Sequence, residues 1–171
     1  MPVLSINTGR LLITVFNAGM SASVYLNSLD EDNRRFMPDE VCASEEEART
    51  RILELISYYE SSNGPFVYPV LLQNGPQIGH VEAMTIDRGW EIGFHIGKSY
   101  THRGYATEAL KAFLPVIMGQ LGLVEIYGIC HDINIASQRV LQKWGFLLDY
   151  AGMGLIQGKI QQLYRYKLTV I

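Results

Sequence analysis

The spacing of hydrophobic residues along the chain predicts an alternation of strands and helices. Apolar or alternating segments predict strands at 11–16, 66–73, 77–86, 90–97, 123–130, 146–153 and 159–170. Apolar residues at helical spacing predict helices at 18–29, 44–59, 107–121 and 134–144. The polar segment 30–40, which contains Pro38, is predicted to be a loop. This order predicts an α/β fold with a mixed, mostly antiparallel sheet of about seven strands and about four helices on its faces.

Length and composition indicate a single domain, 1–171, because domains commonly run to about 100–200 residues. Hydrophobic residues make up 48% of the chain and charged residues 18%, which is ordinary for a soluble globular protein. The net charge of −3 argues against nucleic acid as a partner, because such proteins carry a basic face. The apolar stretch 113–124 is too short to cross a membrane, and residues 1–10 lack a secretory signal pattern. Cys42 and Cys130 have neither metal-ligand nor disulfide-framework spacing, so we expect a cytoplasmic protein.

Small residues stand near the predicted start of the third helix, in the run Arg103-Gly104-Tyr105-Ala106-Thr107. The first N–H groups of a helix have no partner within it, and the aligned peptide dipoles favour an anion there. Glycine and alanine allow an anion to approach these donors closely. The run therefore predicts a phosphate-binding turn.

Two other phosphate-binding motifs fit this region less well. The region lacks the glycine spacing of the dinucleotide motif G-x-G-x-x-G, and it lacks the acidic residue that follows this motif. The segment GFHIGKS, 93–99, resembles the nucleoside-triphosphate loop but is one residue short, with Ile92 at the position of the first glycine. A kinase or nucleotidase would rest on this defective motif alone. The remaining alternative is that Gly104 is an ordinary loop glycine.

Residues 101–106 resemble the signature Q/R-x-x-G-x-G/A of the GNAT superfamily of acetyl-CoA-dependent N-acyltransferases, matching it at Gly104 and Ala106 but not at Thr101. The segments RGYATEAL (103–110), NIASQRVLQKWGF (134–146) and TGRLLI (8–13) resemble its Rim-type branch, which includes ribosomal-protein alanine acetyltransferases. The resemblance implies the GNAT fold and transfer of an acetyl group from acetyl-CoA to a primary amine, by direct attack in a ternary complex. It is weakest between residues 18 and 75, where acceptor specificity tends to lie in that family.

The resemblance also implies which residues bind the cosubstrate. The CoA pyrophosphate would be held by the backbone of Arg103, Gly104, Tyr105, Ala106 and Thr107. The pantetheine arm and the thioester oxygen would be held by strand N–H groups of Phe94, His95 and Ile96. Asn134 would contact the pantetheine arm, besides its plainer role as a helix N-cap. Neither the resemblance nor the histidine spacing implies a metal.

Two catalytic candidates remain, Ser137 and Glu91. Many GNAT enzymes carry a tyrosine seven residues after the helix-opening asparagine, but that position is Leu141 here. Ser137, one turn after Asn134, is therefore the candidate at the leaving sulfur, and a solvated helix serine is the alternative. Many GNAT enzymes also place a glutamate five residues before the asparagine, where this chain has Ile129, which leaves Glu91 as the candidate base.

The acceptor is the least determined feature of the sequence. Glu91 and His95 share a strand face that either meets the incoming amine or lies as an ordinary surface beneath the second helix. A weakly equipped site favours a peptide N-terminal α-amine over a lysine side chain, because the α-amine loses its proton more easily. Small-molecule amines stay open as acceptors, and so does a homodimer. The alternative function is a non-catalytic acyl-CoA-binding or sensing domain.

Overall fold

The computed structural model describes residues 4–170. Its strands are β1 (Ile6–Asn7), β2 (Leu11–Ile13), β3 (Phe66–Leu72), β4 (Gln77–Ile86), β5 (Gly89–Ile96), β6 (Glu125–His131), β7 (Leu147–Ile156) and β8 (Lys159–Thr169). Its α-helices are α1 (Ser21–Ser28), α2 (Glu31–Phe36), α3 (Glu45–Tyr58), α4 (Tyr105–Leu121) and α5 (Ile135–Lys143). In the part of the chain described, no helix is long and apolar enough to cross a membrane.

The strands form one sheet in the order β1-β2-β3-β4-β5-β6-β8-β7. Every neighbouring pair is antiparallel except β5 and β6, which run parallel and are joined at a single register pair, Glu91 with Tyr127. Parallel neighbours need a crossover connection, and α4 supplies it. The predicted mixed, mostly antiparallel α/β fold is thereby confirmed.

Helices cover both faces of the sheet. On one face, α4 buries Leu110, Phe113 and Ile117 against strand residues that include Tyr68 and Ile92, as its apolar stripe predicts. On the other face, Ile52 of α3 and Val24 of α1 pack with Val67 of β3. We call this second surface the α3 face. Glu82 lies opposite Val67, so its side chain is also on the α3 face. Side chains alternate between the two faces along a strand, and strand register therefore places four more residues on the α3 face: Met84, Glu91, Gly93 and His95.

The predicted loop at 30–40 is wrong, since residues 31–36 form α2 and residues 38–40 a short 3-10 turn. Asp30 caps α2, with its Oδ1 accepting the N–H of Asn33 at 2.8 Å. Acids fill the first turn and arginines the last, which complements the helix dipole. These capping signals outweigh the polarity and the proline that indicated a loop. The sheet also gains β1, which is too short to give a hydrophobic pattern.

Candidate functional site

A cleft of about 830 Å³ opens where β5 and β6 diverge. It brings together residues from α2, β4, β5, β6 and the start of α5. Seven of the residues predicted from the sequence line it: Glu91, Phe94, His95, Ile96, Ala106, Asn134 and Ser137. The other four, Arg103, Gly104, Tyr105 and Thr107, belong to the turn and first residues of α4 that lead out of this cleft.

The turn before α4 has the conformation that a glycine favours. Gly104 is the residue before the helix and has a φ of +79°, in the left-handed region. The Gly104 carbonyl accepts the first intrahelical bond, from Glu108 N–H at 3.0 Å. The N–H groups ahead of Glu108 open the helix without an intrahelical acceptor, as helix geometry requires. The predicted phosphate-binding turn therefore has free backbone donors on exposed or half-exposed residues.

Arg10, in the hairpin between β1 and β2, holds the turn before α4 through hydrogen bonds. Its Nη1 donates to the carbonyl oxygen of Arg103 at 2.9 Å, and its Nε donates to Glu108 Oε2 at 2.7 Å. The guanidinium carbon also lies 4.5 Å from the ring centroid of Tyr105. Thr8 Oγ1 donates to Glu108 Oε1 at 2.5 Å. Arg10 belongs to the segment TGRLLI (8–13), but its contact with the turn could not be predicted, because about ninety residues separate the two and no spacing rule connects them.

Replacing Arg10 by alanine is expected to weaken CoA binding by roughly tenfold, equivalent to about 1.4 kcal/mol. The substitution removes a charged hydrogen bond that fixes the Arg103 carbonyl, so the neighbouring donors lose their alignment. Isothermal titration with CoA measures the change. Arg49→Ala, on an exposed position of α3, is the matched control and should bind CoA as the wild type does. Equal affinity for CoA in Arg10→Ala and the wild type would show that the contacts of Arg10 do not affect CoA binding.

Glu91 lies at the point where the two parallel strands separate. Burial raises the pKa of its carboxyl group to about 7, although a hydrogen bond from the Ile129 N–H opposes the shift. The Glu91 side chain thus reaches from β5 to the backbone of Ile129, the position at which many GNAT enzymes carry a glutamate. A carboxylate with a pKa near neutrality is matched to proton abstraction at physiological pH.

Asn134 and Ser137 sit together at the start of α5. Asn134 is the N-cap, and its Oδ1 accepts the N–H of Ser137 at 3.2 Å. Leu141, one turn further on, is buried against Gly128 of β6. A Cβ atom added to Gly128 would lie 2.6 Å from the Leu141 side chain. Leu141 lines the cleft as a buried apolar residue, and Ser137 is the hydroxyl of α5 that lines it.

His95 points away from the strand edge that the cosubstrate is expected to use. Its Nε2 lies 3.4 Å from Asp30 Oδ2. Burial alone would raise the pKa of Asp30, but the His95 ring and the N–H groups of Asn33 and Lys98 lower it to about 2. The predicted contact of His95 with cosubstrate accordingly concerns its backbone.

An inner cavity of about 190 Å³ adjoins the cleft on the α3 face. Glu40, Glu82, Met84 and His95 line both spaces. Glu40, His80 and Glu82 each offer a ligand atom within 4.8 Å of the others, which is an arrangement able to hold a cation. Sequence reasoning missed this group because Glu40 lies in the segment predicted as a loop and no motif spacing marks Glu82.

Comparison with known proteins places the chain in a family. Residues 10–147 match the family described as an acetyltransferase (GNAT) domain. The chain is 30% identical over 143 residues to the uncharacterised N-acetyltransferase YnaD of Bacillus subtilis, covering 82% of this chain and 81% of the relative.

Solved structures share the fold along nearly the whole chain. A GNAT-family acetyltransferase from Bacillus anthracis superposes with a TM-score of 0.82 at 24% identity, covering 97% of this chain and 98% of that one. RimL, a ribosomal L7/L12 α-N-protein acetyltransferase solved with coenzyme A, gives 0.83 at 17% identity, covering 98% of each chain. With a family match over residues 10–147 and a relative of 30% identity over most of its length, this chain is an acetyltransferase of the GNAT family.

Proposed function

We propose that the protein transfers the acetyl group of acetyl-CoA to a primary amine by direct attack in a ternary complex, without a metal. The observation that carries this proposal is Glu91, a carboxylate with a pKa of about 7 at the mouth formed by the diverging strands. A group of this kind suits deprotonation of an ammonium ion. A domain that only bound or sensed acyl-CoA would not need it.

The cosubstrate would lie between β5 and β6 and extend to the turn before α4. The backbone of residues 103–107 would hold the pyrophosphate, because unpaired helix N–H groups suit an anion. The edge of β5 at Phe94, His95 and Ile96 has no register partner on β6 within the described residues, so its backbone groups suit the amides of pantetheine. Asn134 lines the same cleft and would contact that arm.

In the reaction, Glu91 takes a proton from the bound ammonium and the free amine attacks the thioester carbonyl carbon. The new carbon–nitrogen bond forms as the carbon–sulfur bond breaks, and CoA leaves as a thiolate. A thiol with a pKa of about 8.5 is a good leaving group near neutrality, so a hydrogen bond from Ser137 suffices without full proton donation. The second proton of the attacking nitrogen goes to solvent or to the thiolate.

The preferred amine is proposed to be the α-amine of a peptide N-terminus. At pH 7 a lysine amine costs about 4.6 kcal/mol to deprotonate, whereas an α-amine costs about 1.1 kcal/mol. RimL, which shares the fold, is by its name an α-N-protein acetyltransferase, in agreement with this choice. A single carboxylate with a pKa near 7 can deprotonate the α-amine but is poorly matched to the much more basic lysine amine.

The test compares two peptides of the same sequence, one with a free N-terminus and a blocked lysine and the other with the reverse. We expect kcat/KM near pH 7 to be higher for the free N-terminus. Release of CoA thiol gives the rate, and peptide mass confirms the product. Faster acetylation of the lysine peptide would contradict the α-amine assignment. Tight acetyl-CoA binding with no transfer to any amine would instead favour the non-catalytic acyl-CoA-binding domain.

We propose that a homodimer would pair through the edge strand β7. This strand ends the sheet, and Leu147, Met153 and Leu155 on it are exposed. An apolar edge strand is a surface on which a second copy can pair.

A further inference from the structure

Four side-chain positions form a square on the α3 face beside the cleft. Glu82 lies opposite Gly93, and Met84 lies opposite Glu91, on the neighbouring strands β4 and β5. A Cβ atom at position 93 would collide with the Glu82 carboxylate, so the glycine leaves room for that carboxylate over the square. Glu82 and Glu91 therefore occupy diagonal corners of one surface.

The Glu82 carboxyl group is buried, and the described residues offer it no partner that would favour its ionised form. The residue is 9% exposed, and burial together with repulsion from Glu40 and Glu91 raises its pKa well above the ordinary value. Within residues 4–170, no hydrogen-bond donor reaches its carboxylate. A buried carboxylate without a donor or a counter-charge is costly, so a cation from outside the chain would stabilise it.

The basic side chains on the wall of the inner cavity are His80, His95 and Arg51. His80 Nε2 lies 3.6 Å from Glu40 Oε2, but burial lowers the pKa of His80 to about 3, so this imidazole carries no charge at pH 7. His95 faces Asp30. Arg51 pairs with Glu47 at 3.4 Å, and its charge only partly offsets the effect of burial on the pKa of Glu40. Glu40, whose pKa is also raised by burial, joins Glu82 as the second carboxylate of the same opening.

We propose that Glu40 and Glu82 bind a second positive charge of the acceptor, so that the preferred substrate is a primary amine with another cationic group on an aliphatic arm. The inference rests on the proposed function, because it places the reacting amine at Glu91. The acceptor would be either a free diamine or a peptide whose first residue has a basic side chain.

The spacing of the square agrees with this substrate class. Diagonal positions on neighbouring antiparallel strands are roughly 7–8 Å apart. The four-carbon stem of a lysine side chain separates its two amines by a comparable span. Met84 lies at a third corner and lines both spaces, so it offers an apolar surface to the methylene groups between the two charges.

The first experiment compares matched acceptors with the wild-type protein. The small-molecule pair is 1,5-diaminopentane and pentylamine, and the peptide pair has lysine or norleucine as its first residue. We expect kcat/KM to favour the dicationic member by at least tenfold, mainly through KM, in one pair or both. The pair with the larger ratio identifies the source of the acceptor. Equal kcat/KM within both pairs would overturn the inference while leaving amine acetylation established, whereas transfer to none of the four would contradict the proposed function itself.

The second experiment removes each carboxylate in turn. Glu82→Gln and Glu40→Gln should each bring the ratio of dicationic to monocationic acceptor close to one. Glu46→Gln removes the same charge from an exposed position of α3 and should keep the wild-type ratio. An unchanged ratio in folded Glu82→Gln would overturn the inference.

A divalent metal ion is the competing occupant, because His80 completes a possible ligand set with the two carboxylates. Treatment with EDTA should leave the acceptor ratio unchanged. Loss of the ratio on chelation and its return with Zn²⁺ or Mn²⁺ would show that the carboxylates hold a metal rather than the acceptor.

Discussion

Replacing Gly104 by valine is expected to abolish the thermal stabilisation that CoA confers on this protein. The wild type with CoA at a hundred times its Kd should gain about 2.7 kcal/mol, or roughly 5–10 °C in Tm for a chain of this size. A branched side chain at position 104 would stand between the phosphate and the first N–H groups of α4. Scanning calorimetry with and without CoA measures the loss.

The substitution also strains the backbone, so the control must reproduce that strain. Gly104 has a φ of +79°, and Gly122 at the other end of α4 has a φ of +64° with nothing within 4 Å of a Cβ atom. Valine in the left-handed region costs about 1–3 kcal/mol at either position. Gly122→Val should therefore lower the Tm of the apo protein by a similar amount and still respond fully to CoA. If folded Gly104→Val responds as well as Gly122→Val does, the pyrophosphate binds elsewhere.

Glu91→Gln is expected to lower kcat/KM near pH 7.5 by roughly a hundredfold or more, within the usual range for loss of a general base. The pKa of about 7 makes wild-type kcat/KM rise as pH increases through 7, because only the carboxylate accepts a proton. The Glu91→Gln variant should lack this rise of kcat/KM around pH 7. Its deficit should shrink above the pKa of the acceptor, where the amine is already neutral. A pH profile between 5.5 and 9.5 with one α-amine peptide checks both statements, and a wild-type limb retained in Glu91→Gln would exclude Glu91 as the base.

The same substitution should make the folded protein more stable at pH 8 but not at pH 5, and the sign follows from the direction of the pKa shift. The folded pKa of Glu91 is raised from 4.5 to about 7, so the unfolded chain loses its proton first as pH rises. The wild type therefore loses stability between about pH 4.5 and 7, by up to about 3 kcal/mol. Glutamine has no charged form to desolvate. Denaturant unfolding of both proteins at pH 5 and pH 8 separates this gain from an ordinary structural effect.

Most of the fold could be predicted because its signals are local. The stripe of α3 follows the capping residue Ser44, whose hydroxyl accepts the N–H of Glu47 at 3.1 Å, and β4 has the predicted bounds. The prediction failed at 30–40, where the interpretation relied on polarity and Pro38. Helix α2 is short and presents few apolar residues to the core, so its evidence lies in its caps rather than in a hydrophobic period.

The candidate site could be predicted only where a short motif carries it. Gly104 directly precedes α4 and Asn134 caps α5, so the local structure at both positions agrees with the predicted helix starts, while their binding roles stay predictions. Arg10, Glu40 and Glu82 act through contacts between distant segments. Strand register brings Glu82 over Gly93, and neither residue type has a sequence pattern that reveals this pairing.

The single register pair between β5 and β6 has a consequence for hydrogen exchange. Beyond Glu91, the strand edge facing the cleft relies on solvent rather than on a β6 ladder, so its amide protons should exchange rapidly in the free protein. CoA lying along that edge would act as the missing strand and slow this exchange. Slower exchange on both β5 and β6 would mean that the bound cosubstrate also links strands β1–β5 to strands β6, β8 and β7.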